Sequence, residues 1–206
     1  MNTASDKVRD TQLEILAHHY SETFTLLRND MGKRDRLFLY ILIVIFLLLL
    51  YMSAPTAMSQ LLNNFLSTRA GGDDPTNLID VSFIGTILLL GLLSLSHTYF
   101  QTVLHIERQY DYVGQLETQL SQSFDGLAFI REGQHYRSQG RRFAKWTKAI
   151  FWWLFPFLFV LFIFAWLYFI WWRSGAPLLY LVINTLISVS ILVSLRYYLL
   201  ALIKKI

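Results

Sequence analysis

The chain has 206 residues and a mass of 24.1 kDa, which leaves room for one membrane domain with short extramembrane parts. Hydrophobic residues make up 54% of it and charged residues only 16%, with a net charge of +4. It contains no cysteine, which excludes disulfide bonds, thiolate metal ligands and cysteine nucleophiles.

Four strongly apolar stretches without Asp, Glu, Lys or Arg divide the sequence, at residues 37–54, 81–97, 149–172 and 174–195. Each is long enough to cross a hydrocarbon core of about 30 Å as a helix. A bilayer offers no water to unpaired backbone groups, so each crossing is expected to be a closed α-helix. The sequence therefore predicts an all-α protein with four transmembrane helices.

The basic residues predict how these spans are oriented. Sixteen of the 18 Lys and Arg residues lie in residues 1–36, in residues 98–148 and at the carboxyl end, and only Arg69 and Arg173 lie elsewhere. Under the positive-inside rule, both termini and the middle segment then face the cytoplasm. The first residues lack a basic region followed by an apolar run, so the first span is expected to direct insertion itself.

This topology divides the chain into four segments. We expect a cytoplasmic amphipathic helix at 1–36, a first transmembrane hairpin at 37–98 with an outer loop at 55–80, a cytoplasmic helical hairpin at 99–148, and a second transmembrane hairpin with a short cytoplasmic tail at 149–206. Within the outer loop, residues 58–66 are compatible with a short helix on the membrane surface.

The cytoplasmic part of the second helix carries a seam of apolar residues. Val113, Leu120 and Phe124 belong to a three–four alternation typical of coiled coils, in which Glu117 breaks the register. A single copy is expected to leave these residues exposed, and apolar surfaces of this kind are normally covered. The sequence therefore predicts a homo-oligomer, with a tetramer as the expected size.

No pattern in the sequence indicates catalysis. His97 is the only ionisable residue within the spans, which argues against a proton pump or an ion-coupled transporter. Paired membrane carboxylates, a Ser–His–Asp set and a Gly-rich phosphate loop are missing. Glu14, His18 and Glu22 form one helical stripe, for which a solvated polar face is a commoner role than metal binding. We predict a non-enzymatic protein without a metal or cofactor.

The fourth span is the most polar of the four. Asn184 and Ser188 lie one helical turn apart and share a face. Such groups usually hold membrane helices together. The alternative is that they line a narrow aqueous path, joined by Ser94 and His97 at the inner end of the second span.

A basic stripe precedes the third span and is the candidate partner- or ligand-binding site. Anionic lipid headgroups would attract these residues, and a nucleotide or nucleic acid is the alternative ligand. The candidate residues are Arg131, Arg137, Arg141, Arg142, Lys145 and Lys148.

Residues 11–122 resemble the SLATT-type membrane effectors of bacterial antiphage defence operons, in which an amphipathic helix enters a two-span hairpin. The resemblance is carried by the segments HHYSETFTLLRNDMGKRDRLFLYIL and SHTYFQTVLHIERQYDYV. A second hairpin follows here, and the four-span membrane subunit of the two-gene Kiwa defence system is similar in size and layout.

The resemblance implies an oligomer in the bacterial inner membrane, held with a cytoplasmic sensor, that perturbs the membrane when triggered. We therefore predict a homo-oligomeric, channel-like or membrane-perturbing defence component whose cytoplasmic helices bind a ligand or a soluble partner protein encoded nearby. Two other functions stay open at this point. One is a membrane scaffold or sensor that anchors a cytoplasmic effector without conducting ions, and the other is a small transporter.

Overall fold

A computed structural model describes residues 3–70, 81–123 and 153–203 of the chain. These residues are almost entirely helical and contain no strand, which confirms the predicted all-α class. Four of the helices contain stretches long and apolar enough to cross a membrane, as the sequence predicts. The helices are α1 (Thr3–Ser53), α2 (Pro55–Ala70), α3 (Val81–Ser123), α4 (Phe155–Trp172) and α5 (Leu178–Ile203).

Proline sets the boundary between α1 and α2. The Ala54 N–H still donates to the Leu50 carbonyl at 2.9 Å, but Pro55 has no N–H with which to continue the helix. Proline is favoured in the first turn of a helix, so α2 begins at Pro55. This helix has 16 residues and is therefore longer than the short surface helix expected within the outer loop.

A tight turn joins α4 to α5. The backbone N–H groups of Arg173 and Ser174 both donate to the Phe169 carbonyl, at 2.9 and 3.1 Å. Gly175 then adopts a left-handed conformation with φ of 61°. The fourth spanning helix therefore starts at Leu178, four residues later than the apolar stretch in the sequence suggests.

Contacts between residues divide the chain into two compact units. The first contains residues 1–35 and 101–151, and the second contains residues 36–100 and 152–206. In the first unit α1 packs against α3 through Leu27, Ile106 and Val113, which are at most 3% exposed. Residues later in α1 contact residues earlier in α3, so the two segments are antiparallel.

Packing within a single chain buries the described seam residues, so the seam no longer supports the predicted homo-oligomer. Val113 and Leu120 are only 1% and 2% exposed within a single chain, so the expectation that a lone copy exposes them is wrong. The third seam residue, Phe124, lies outside the described residues. The expectation failed because the sequence pattern does not say which helix covers a seam.

Aromatic side chains form much of the core of the second unit. The ring of Tyr51 on α1 lies 5.9 Å from that of Trp166 on α4, centroid to centroid. Phe100 on α3 stacks on Tyr198 of α5 at 4.6 Å. Trp172 on α4, in contrast, is 73% exposed. The aromatic residues of α4 therefore contribute both to the core and to the outer surface.

Candidate functional site

The polar pair predicted on the fourth span lies inside the second unit. Asn184 and Ser188 are 1% and 0% exposed. The Asn184 amide nitrogen donates to the Thr86 hydroxyl of α3 at 2.8 Å and to the Tyr180 carbonyl at 2.9 Å. Both N–H groups of the amide are thus used, which fixes its orientation. Its Oδ1 atom is buried and has no hydrogen-bond partner among the described residues.

Ser188 differs from Thr185 and Ser190 on the same helix. Thr185 and Ser190 donate to the carbonyls one turn earlier, those of Leu181 and Leu186, at 2.7 and 2.9 Å. The buried Ser188 hydroxyl has no such partner in the described part of the chain. Successive turns of α5 therefore carry two buried polar oxygens, Asn184 Oδ1 and Ser188 Oγ, that the described residues leave unpaired.

The other two residues of the predicted path lie elsewhere on α3. Ser94 and His97 are exposed, whereas Asn184 and Ser188 are buried. Thr86, which the sequence reasoning missed, is the α3 residue that contacts Asn184. A single threonine in an apolar span gives no sequence signal, because its role depends entirely on what faces it.

Polar contacts also join the two helices of the first unit. The Tyr20 hydroxyl donates to Glu117 Oε1 at 3.1 Å, and Glu117 is only 6% exposed. The Gln109 amide donates to Asp30 Oδ2 at 3.0 Å. Because a buried carboxylate requires partners, the first contact fixes the register of α1 against α3. Glu117, which was expected only to break the register of the seam, therefore forms a contact between α1 and α3.

A groove of about 300 Å³ lies between α1 and α3 in the first unit. Ile15, Leu16, Tyr112 and Leu116 supply its apolar surface, and three glutamines and His19 supply its polar surface. None of the described residues that line it is Asp, Glu, Lys or Arg. Ile15 and Tyr112 are 59% and 45% exposed, so large apolar side chains face solvent at this groove.

The described residues add no further site from the remaining sequence candidates. The basic stripe from Arg131 to Lys148 lies outside the described residues. On the amino-terminal stripe, His18 Nδ1 lies 3.7 Å from Glu22 Oε2, with both side chains exposed. Within residues 3–70, 81–123 and 153–203, no three His, Asp or Glu side chains are grouped so that they could hold a metal ion.

The fold and these sites define the class of the protein. The described residues are almost entirely helical and include four helices long and apolar enough to span a membrane. The chain matches no protein-family model, no curated protein and no solved structure.

Proposed function

We propose that the chain is a multi-pass protein of a bacterial inner membrane that anchors a soluble partner protein through the α1–α3 pair of the first unit. The apolar helices support the membrane assignment. The concentration of Lys and Arg in residues 1–36, residues 98–148 and the carboxyl end supports an orientation with both termini in the cytoplasm.

The uncharged groove is the observation that carries this proposal. The solvent-facing side of a helix pair is normally charged or polar, yet Ile15 and Tyr112 are largely exposed here. The neighbouring glutamine amides offer both donors and acceptors. Apolar anchors with neutral amides suit a protein helix or loop, whereas a phosphate ligand would require basic residues.

The groove is tested by the double substitution Ile15→Glu with Tyr112→Glu. Two carboxylates in a desolvated interface should weaken partner binding at least tenfold, and with it any activity that depends on the partner. Leu26→Glu is the matched control, because Leu26 is on the same helix and 58% exposed but does not line the groove.

The readout is a site-specific photo-crosslink from position 15, compared with one from position 26, in cells that carry the chain with its neighbouring genes. We expect a defined crosslinked partner from position 15 only, lost in the presence of Tyr112→Glu. Equal crosslinking from both positions would contradict the groove as the binding site.

The resemblance to defence-operon membrane proteins supports a further part of the proposal, that the partner is encoded beside this chain and that the pair limits phage growth. Phage plating efficiency on cells with and without the gene set measures this. The groove variant should plate phage as efficiently as cells without the genes, and the Leu26→Glu variant should not.

The basic stripe is a second candidate contact for the partner or for anionic lipid. Replacing Arg137, Arg141 and Lys145 together by Glu should abolish function and leave membrane insertion intact. Normal function in this variant would show that the stripe serves only to orient the protein in the membrane.

Ion conduction is a second candidate function, favoured by the buried oxygens of Asn184 and Ser188 that the described residues leave unpaired. Both residues are buried within one chain, so a path that they line would run through each protomer and not along an axis between copies. Replacing both by Leu removes these oxygens, and triggered cells should then keep their membrane potential. Loss of potential in this variant would reject the path.

Homo-oligomer formation, with a tetramer as the expected size, stays a prediction. Its remaining support is the resemblance to defence-operon membrane proteins, which implies an oligomer. Mass measurement in mild detergent distinguishes a tetramer from a monomer, and a monomer would contradict the prediction.

A further inference from the structure

The outward face of α2 carries two large apolar side chains, whereas its described buried residue is polar. Leu61 and Phe65 are 67% and 59% exposed and lie one turn apart on the same stripe. Asn63 is only 7% exposed and lies on the opposite side, because two residues turn a helix by about 200°. A helix at a protein–water boundary normally has the reverse arrangement, with its apolar side chains buried and its amides in water.

The rest of this surface includes the exposed, uncharged polar side chains of Thr56, Gln60 and Asn64. Thr68 is exposed close to the Leu61–Phe65 stripe, but its hydroxyl donates to the Asn64 carbonyl at 2.7 Å. No Asp, Glu, Lys or Arg occurs between Pro55 and Thr68. Because charged groups are costly to bring into hydrocarbon, their absence over nearly four turns makes this helix compatible with lipid contact.

The position of α2 along the chain points to the same surroundings. It begins two residues after the end of α1, whose last turns expose Phe46, Leu49 and Leu50. The first helix, α1, is able to cross the membrane and exposes apolar residues near its end. Only Ala54 separates it from α2, which also exposes apolar residues.

We propose that α2 binds the lipid surface, at the boundary between headgroups and acyl chains on the non-cytoplasmic side of the membrane. Leu61 and Phe65 extend into the acyl region, and Gln60 on the flank of the helix faces the headgroups and water. This inference rests on the proposed multi-pass topology, since α2 follows the first span.

The absence of cysteine allows a direct test, because single-cysteine variants carry one spin label and no background. Labels replace Leu61, Phe65 and Gln60 in turn, in full-length protein reconstituted into phosphatidylethanolamine–phosphatidylglycerol vesicles. Paramagnetic resonance then compares collisions with oxygen, which concentrates in hydrocarbon, and with a water-soluble nickel chelate. The ratio of oxygen to nickel collisions should be at least threefold higher at positions 61 and 65 than at position 60.

A label at position 49 separates failure of this inference from failure of the topology. Leu49 is 47% exposed in the spanning part of α1 and should collide mainly with oxygen. If position 49 does so and positions 61 and 65 are open to nickel, α2 lies in water and the inference is overturned. If 61 and 65 are shielded from both reagents, protein covers them, which also overturns it. Nickel access at position 49 would overturn the topology itself.

Discussion

Gly85 offers the sharpest test of how the helices of the second unit pack. A Cβ atom at this position of α3 would lie 2.9 Å from Trp166 Cη2 and 3.0 Å from Tyr51 Cε1. Both rings are buried, at 0% and 4% exposed, and their centroids are 5.9 Å apart. Because both rings are buried, Gly85→Ala must displace at least one of them within the core.

Overpacking of this kind costs about 1–3 kcal/mol, against a gain of about 0.5–1 kcal/mol for alanine over glycine within a helix. Gly85→Ala should therefore lower the free energy of unfolding by up to about 2 kcal/mol. Gly91, on the same helix, has no atom within 4 Å of its Cβ position. Gly91→Ala should thus raise stability slightly, and the difference between the two variants isolates the steric cost.

Both variants are unfolded in the same mild detergent by titration with sodium dodecyl sulfate, followed by circular dichroism. Gly85→Ala should cost less stability in a Trp166→Phe background than in the unmodified protein, because phenylalanine lacks the Cη2 atom. If Gly85→Ala proves as stable as Gly91→Ala, the close approach of Tyr51 and Trp166 to α3 is refuted.

Three further tests, with four substitutions, address individual contacts. Thr86→Val and Asn184→Leu should show a coupling of about 0.6–1.7 kcal/mol in a double-mutant cycle of unfolding, and additive effects would contradict their hydrogen bond. Tyr20→Phe should destabilise the α1–α3 pair by about 1–3 kcal/mol, measured as faster amide exchange in α3, because buried Glu117 loses a donor. Gly175→Ala should lower stability by about 1–2 kcal/mol through its left-handed backbone, and an unchanged unfolding midpoint would count against this turn.

The sequence alone determined the all-α class and the four helices long and apolar enough to span a membrane. These properties are local, because a long uncharged apolar stretch in hydrocarbon can pair its backbone groups only within its own helix. The ends of the helices were less certain. Pro55 starts α2 earlier than expected, and the Gly175 turn delays α5, because backbone geometry and not hydropathy sets these limits.

Only the tertiary structure decided which residues face each other. Glu117 breaks a periodic pattern in the sequence but accepts a hydrogen bond from Tyr20, 97 positions away. Thr86 has no sequence signal and is the cross-helix partner of Asn184, 98 positions away. Val113 looks uncovered in the sequence and is buried by packing within its own chain. Such pairings depend on how helices distant in sequence meet in space, and residue periodicity along one helix contains no information about its neighbour.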